Sequence, residues 1–302
     1  MGHLFRMLSF SEYLRARGIP FRFFTNADAV AESILARNAC PYDLVDLQST
    51  DGWQQQLVQR HGVTVWIDDR LDTDGRHAER MKACGIPRVT FDDRGAGAGG
   101  ADLNVAALAF DANEALAGAN VLRGPRYLVL NAGIARYRYR RPGPGSVLVS
   151  MGGSDTHGAT IRVVRILKSA GIGATVVVGP AFRHEAELRA ELTGDFVVKR
   201  NLPSLFEEFS RHCLAITGGG VTPFEANASG LPCIVIANED FEIPVARGLC
   251  AMGGAVFAGH YSAIEACVLT SALPIAQMSE AALANVDLDG AGRVLDEIGR
   301  LL

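Results

Sequence analysis

Short β-branched and apolar runs alternate with longer segments of helical composition along the whole chain. This alternation constrains the fold more than any other feature, because strand, helix, strand in regular succession is how a parallel sheet wrapped by helices reads. In the first half the apolar runs fall at residues 21–24, 43–47, 63–67, 88–91, 103–105 and 127–130, and segments such as 55–61 and 76–83 between them have helical composition. In the second half the runs are 146–151, 174–178, 196–199, 213–217, 233–236 and 254–257, with helical stretches at 159–170, 185–192, 202–210, 223–229 and 244–251. The fold class is therefore α/β. Pro142-Gly143-Pro144-Gly145 separates the two sets; its prolines fix φ and its glycines loosen the chain, as a domain linker requires. At 302 residues the chain is longer than one hydrophobic core usually grows. Two domains follow, residues 1–141 and 146–302.

Apolar residues make up 48% of the chain, enough to fill both cores, and the formal net charge of -4 provides no field that would gather polyanions. Nucleic acid is excluded as an expected partner. The arginines of Ala135-Arg136-Tyr137-Arg138-Tyr139-Arg140-Arg141-Pro142 form one local basic cluster, read first as a solvated linker and second as a grip for phosphate or an acidic membrane surface. Six scattered cysteines without a Cys-x-x-Cys pair suit buried thiols in a reducing compartment. The chain shows neither a spanning apolar stretch of ~18 residues nor a signal-peptide core. The expected location is cytoplasmic, without stable membrane insertion.

Two glycine turns carry the functional signal. Gly152-Gly153-Ser154-Asp155 follows one apolar run and precedes a helical segment; Thr217-Gly218-Gly219-Gly220-Val221-Thr222-Pro223 does the same in the next, with proline at a first-turn position. Glycine at such a turn lets backbone approach a ligand closely, and a following helix N-terminus offers unpaired N–H groups to a phosphate. A tight turn that needs glycine only for its φ is the plainer alternative. Two such turns in one domain suggest a diphosphate site, with Glu225 placed to accept hydrogen bonds from a ribose. Neither turn is followed by the Gly-Lys-Ser/Thr of a P-loop, and Gly95 to Gly100 lacks the dinucleotide spacing. No His/Cys/Asp cluster has metal-ligand spacing, so neither metal nor cofactor is expected. Trp53 and Trp66 read as packing residues. His157 lies close enough to its glycine turn to touch a phosphate, whereas His61, His184 and His212 carry little signal.

Several segments, taken in order, resemble the UDP-sugar hydrolases of pseudaminic acid biosynthesis, within the GT-B superfamily that includes the glycosyltransferase forming lipid II. They are Met1 to Leu8, Val65-Trp66-Ile67-Asp68-Asp69, Val89-Thr90-Phe91-Asp92-Asp93, Ala101 to Val105, Gly124 to Tyr127, Met151 to Asp155, Gly218 to Glu225, Ala228 to Pro232 and Asn238-Glu239. The resemblance implies two Rossmann-like domains with a cleft between them, the second binding UDP. It makes His3 the base that activates water for inverting attack on the anomeric carbon, with Asn238 orienting sugar or water. Gly153, Ser154, Asp155, Leu202, Gly218, Gly219, Gly220, Val221 and Glu225 would hold the nucleotide, the segment Arg200-Asn201-Leu202-Pro203 lying where such folds hold uracil. Gly2, Asp68, Arg70, Asp93 and Glu239 would line the sugar.

His3 would stand at the entry of a first helix whose N-terminus disfavours added positive charge, with Leu4, Met7, Leu8 and Leu14 forming the buried face. The resembled family has a strand before this helix; its absence here suggests a gene start further upstream. Arg70, Asn131 and Glu239 replace the family's tyrosine, arginine and glutamine, pointing to a different sugar or a different reaction on the same donor. Release of a free sugar for nonulosonic acid or surface-glycan synthesis is the first expectation. A glycosyltransferase using the same donor, with residues 136–141 as the candidate acceptor patch, and a catalytically inactive nucleotide-sugar binding protein are the alternatives.

Overall fold

The computed structural model describes residues 2–49, 51–111, 114–200 and 202–302; Met1 and Asn201, named above, lie outside the described residues. The chain forms two compact units, His3–Asn131 with Asp289–Leu302, and Ala132–Leu288.

The first unit opens with helix α1 (Gly2–Ala16) and continues β1 (Phe23–Thr25), α2 (Ala29–Arg37), β2 (Tyr42–Leu44), α3 (Trp53–His61), β3 (Trp66–Asp68), α4 (Gly75–Ala83), β4 (Arg88–Phe91), β5 (Leu103–Ala106) and β6 (Asn120–Arg123). All its strand pairs are parallel, but its sheet is in two pieces, β1-β2 and β3-β4-β5-β6. Phe24 of β1 nevertheless stacks on Trp66 of β3, with ring centroids 5.1 Å apart and planes 4° apart. Trp53 and Trp66 are packing residues, both buried in a cluster with Leu57, Val58 and Met81.

The second unit runs β7 (Val147–Ser150), α5 (Ala159–Ser169), β8 (Ala174–Val178), α6 (Glu185–Glu191), β9 (Phe196–Arg200), α7 (Phe206–Arg211), β10 (Leu214–Gly218), α8 (Thr222–Ala228), β11 (Cys233–Ala237), α9 (Glu242–Ala251), β12 (Ala255–His260), α10 (Ala266–Thr270) and α11 (Ile275–Asn285). Its strands form one parallel sheet in the order β12-β11-β10-β7-β8-β9. Strands buried on both faces read as continuous apolar runs, which is why Cys233–Ala237 is buried throughout. The chain winds outward from β7 through β8 to β9, then returns to the other side of β7 at β10. The winding therefore reverses between β7 and β10, and ligands of such sheets bind at the carboxyl ends of the strands flanking that point. Those ends carry the two glycine turns.

Three expectations change. Residues 127–130 are not a strand: Gly124 at φ 97° and Pro125 close β6 and open a 3-10 turn. Leu128, Val129 and Leu130 are buried, and Val129 packs in one core with Phe10, Phe91, Val105, Val294 and Ile298. Burial under a helix gave them a strand's composition. That helix is α12 (Gly290–Gly299), which groups with the first unit rather than the second. Any side chain at Gly290 would meet the Leu128 carbonyl oxygen at 2.0 Å, so glycine is what lets α12 seat there.

The third change concerns residues 132–141, which group with the second unit and are not a solvated linker. Arg141 is fully buried and donates to the carbonyls of Phe209 (2.5 Å), Tyr139 (2.7 Å), His212 (3.4 Å) and Ser229. Arg138 donates to the carbonyls of Ala228, Leu283 (2.5 Å) and Val286 (3.0 Å). These carbonyls lie at or near the C-terminal ends of α7, α8 and α11, where helix dipoles favour a cation. Both guanidiniums are thus committed to the fold, which removes them from the acceptor patch. Arg141→Met leaves several carbonyls without donors and is expected to lower unfolding free energy by ~2–5 kcal/mol in urea melts. Arg140→Ala, which breaks an exposed pair with Glu280, should change it by less than ~0.5 kcal/mol.

Candidate functional site

In the second unit the turn after β7 is capped from within. Asp155, at φ 42° and buried, accepts the N–H groups of Ala159 (2.8 Å) and Thr160 (2.9 Å), the first residues of α5. Asp155 is therefore the helix cap, and its carboxylate already holds the donors proposed for a phosphate. Gly153 is half-buried and its carbonyl accepts from Ala181, while exposed Ser154 pairs its hydroxyl with Thr156. His157 contacts Glu239 at 3.2 Å and stacks on Tyr261 at 3.9 Å between centroids.

The helix after the β10 turn has no side-chain cap. Gly218 ends the strand; Gly219 is buried, Gly220 and Val221 are half-buried, and Pro223 sits in the first turn of α8. Among the described residues the hydroxyl of fully buried Thr217 has no hydrogen-bond partner, and neither has the buried Oδ1 of Asn238, the residue after β11. A side chain at Gly218 would meet Asn238 Nδ2 at 2.6 Å, so glycine permits this packing. The side chain of Glu225, half-buried in α8, makes no hydrogen bond or ion pair among the described residues, and burial pushes its carboxyl up to about 7. Leu202 is half-buried in the loop after β9, and Glu239 is exposed.

In the first unit, His3 lies within the first turn of α1 rather than in a loop before it. Its Nδ1 is 2.7 Å from Asp69 Oδ1, and its side chain is 44% exposed, so Nε2 is the nitrogen left for a ligand. When Nδ1 donates to Asp69, Nε2 is the proton acceptor. Arg6, three residues on and on the same helix face, is buried and bridges Asp69 to Asp92. Burial opposes the charge on Asp69, but Arg6 and His3 hold its carboxyl below the usual range. The same two carboxylates hold the Arg6 guanidinium above its ordinary value against burial.

Asp68 and Asp93 belong to a separate buried network, which corrects their assignment to the sugar. Asp68 bonds His77 (3.0 Å), Arg88 (2.7 Å) and the Trp66 indole (3.0 Å), and His77 and Arg88 hold it down at about 2 despite burial. Asp93 takes the backbone and hydroxyl of Thr73 and the Gly95 N–H. Both carboxylates are closed off. Arg70 is half-buried and Gly2 exposed at the start of α1. Sequence reasoning missed Arg6, Asp69, Asp92 and Thr217; the Asp-Asp doublets were visible, but not that Asp69 reaches His3 and Arg6 while Asp92 reaches Arg6.

No protein-family profile matches the chain. It is 25% identical over 267 residues to an uncharacterized protein of Methanocaldococcus jannaschii, covering 80% of this chain and 54% of that one; the chain thus spans about half the length of that relative. Solved structures share the fold. MurG of Acinetobacter baumannii superposes with a TM-score of 0.69 at 15% identity, covering 99% of this chain and 96% of that one. The spinosyn rhamnosyltransferase SpnG, complexed with spinosyn aglycone, gives 0.63 at 16% identity, covering 98% and 97%. The Streptomyces sp. SF2575 glycosyltransferase SsfS6, complexed with thymidine diphosphate, gives 0.60 at 13% identity, covering 97% and 95%. The fold is that of the GT-B glycosyltransferases, with two Rossmann-like domains. Among the described residues no group of three or more His, Cys, Asp or Glu is placed to hold a metal, and no helix is long and apolar enough to cross a membrane.

The Glu225 carboxyl gives a pH-dependent prediction. Its folded pKa of about 7 stands above the ordinary glutamate value of 4.5, so its contribution is intact below pH 4.5 and is lost as pH rises through 7. Glu225→Gln should match the parent at pH 4.5 and exceed it by ~1–3 kcal/mol at pH 8 in urea melts, a figure discounted for partial exposure. Equal stability at both pH values would place the carboxyl in contact with solvent.

Proposed function

We propose that the chain is a nucleotide-sugar-dependent enzyme that transfers a glycosyl group from a UDP-sugar to an acceptor hydroxyl. The observation that carries the reading is the pair of glycine turns on the two strands flanking the winding reversal of the second unit. That edge is where nucleotides bind in sheets of this kind. Unpartnered Glu225 is assigned to the ribose diol and the Gly218 to Val221 turn to the diphosphate, with Leu202 beside the base and Gly153 and Ser154 lining the approach. Asn238, its Oδ1 unsatisfied, is assigned to the sugar.

The first unit supplies the base. His3 Nε2 takes the proton of the acceptor O–H while that oxygen attacks the anomeric carbon; the anomeric C–O bond to UDP breaks, UDP leaves with the electron pair, and configuration inverts. Asp69 fixes the tautomer and stabilises the imidazolium that forms. Arg6 holds Asp69 ionised and in place. Gly2, Arg70 and Glu239 are assigned to the sugar and acceptor side. This transfer reading is supported by the fold it shares with rhamnosyl- and forosaminyltransferases.

A second reading takes water as the acceptor. It is favoured by the exposure of the His3 ring to solvent and by the segment resemblance to UDP-sugar hydrolases. Titration calorimetry with UDP, ADP and GDP should show selective UDP binding that Glu225→Ala weakens at least tenfold. With UDP-sugars, His3→Ala should lower kcat by ~10²–10⁴-fold and Asp69→Asn by ~10-fold or more, KM changing little. Free sugar plus UDP without added acceptor identifies hydrolysis; turnover only with an acceptor identifies transfer. If no nucleotide binds selectively, the donor assignment is withdrawn.

A further inference from the structure

The turn after β10 is not empty: a carboxylate from the next helix already lies on it. Glu242, the first residue of α9, places Oε2 2.7 Å from the Asn238 backbone nitrogen and accepts that N–H. The Gly219 backbone also donates to it. A Cβ at Gly219 would stand 2.7 Å from Glu242 Cβ and 3.0 Å from its Oε2, so the glycine is what allows the carboxylate to lie down on the turn. The carboxylate has no cationic partner among the described residues; only backbone N–H groups hold it, that of Glu239 as well as those of Asn238 and Gly219, and the Glu239 side chain, of like charge, is close by. Among the described residues Asn238 Oδ1, on the residue whose backbone N–H the carboxylate accepts, has no hydrogen-bond partner, and neither has the fully buried hydroxyl of Thr217, two residues before Gly219.

A carboxylate accepting successive backbone N–H groups at a glycine turn stands in for a phosphate oxygen, since both are acceptor-only anions of similar hydrogen-bond geometry. We infer that Glu242 is a resident anion of this turn, competing with a bound diphosphate for the N–H groups of Gly219 and Asn238, so that a diphosphate docks there by displacing it. The inference rests on the assignment of the diphosphate to the Gly218 to Val221 turn, and it adds the residue that sets how tightly that turn holds an anion. Asp155 does not play this part, because its carboxylate is buried and fixed as the cap of α5.

The test is calorimetric titration of the full chain and of Glu242→Gln and Glu242→Ala, with UDP and separately with inorganic pyrophosphate. Thermal melts and circular dichroism serve as the check that each variant is folded. Gln removes the negative charge and keeps the shape; Ala removes both. Both variants should bind UDP and pyrophosphate at least tenfold more tightly than the parent, a gain of ~1.4 kcal/mol. Equal or weaker binding by the folded variants overturns the inference and leaves Glu242 as a structural cap, while the nucleotide assignment stands if the parent binds UDP. If the variants gain affinity for pyrophosphate but neither they nor the parent distinguish UDP, the resident-anion role holds and the nucleotide assignment falls. If no protein binds either ligand, both fall.

Discussion

A parallel sheet covered on both faces leaves one place for polar chemistry, the ends of its strands, and the arrangement of this chain follows from that constraint. Along their length the strands must be apolar, because each residue meets either a helix or the opposite face. Polar side chains gather where the strand stops and the backbone becomes free to turn. The carboxylates of the candidate site and its neighbouring networks stand at such an end or on the helix that follows: Asp68 and Asp69 at the end of β3, Asp92 and Asp93 after β4, Asp155 after β7, Glu225 after β10, and Glu239 and Glu242 after β11. The reversal of winding at β7 and β10 then determines which ends in the second unit gather around one point.

The two acidic doublets show how a one-residue difference divides structure from chemistry. Successive residues of a strand point to opposite faces, so Asp68 turns toward His77 and Arg88 while Asp69 turns toward Arg6 and His3. Asp92, at φ 50°, reaches Arg6 as well, and Asp93 turns back to Thr73. The result is two separate ion networks side by side. One is closed and holds the loops after β3 and β4; the other ends at a half-exposed imidazole. Arg6 is the hinge of the open one, a buried cation between two carboxylates whose removal would leave both charges uncompensated.

This division also marks how far the sequence was legible. The apolar runs identified most strands, both glycine turns and the two-domain order, because parallel strands write themselves as uninterrupted hydrophobic segments. The piece that misled, residues 127–130, is equally apolar but is buried beneath α12, and periodicity cannot tell burial by a helix from burial in a sheet. The tyrosine-arginine run read as a solvated linker before Pro142; Arg141 and Arg138 find helix-end carbonyls instead, and no spacing in the sequence announces a carbonyl. Asp68 was chosen over Asp69 for want of knowledge of strand phase. Asp69 becomes identifiable only when His3 and Arg6, three residues apart on one helix face, are brought against the end of β3.

The glycines carry the same lesson further. Glycine at a strand-to-helix turn signals close approach, but the approaching atom need not belong to a ligand. A side chain at Gly179 would strike the Gly153 backbone, at Gly254 the Asn227 amide, at Gly290 the Leu128 carbonyl, and at Gly219 Glu242. Three of these four contacts lock the protein to itself through groups with no reason to leave. Asn227, for example, donates to the carbonyls of Leu231 and Gly254 and cannot withdraw without abandoning them. The contact at Gly219 differs in kind, because its occupant is a charge held by backbone N–H groups alone. Desolvating that charge raises the Glu242 pKa, and its backbone hydrogen bonds offset only part of the cost. A diphosphate that takes over the Gly219 and Asn238 N–H groups would relieve that carboxylate of its burial. A glycine turn therefore acquires a ligand-binding meaning from what its N–H groups currently hold, and from whether that occupant is better placed elsewhere.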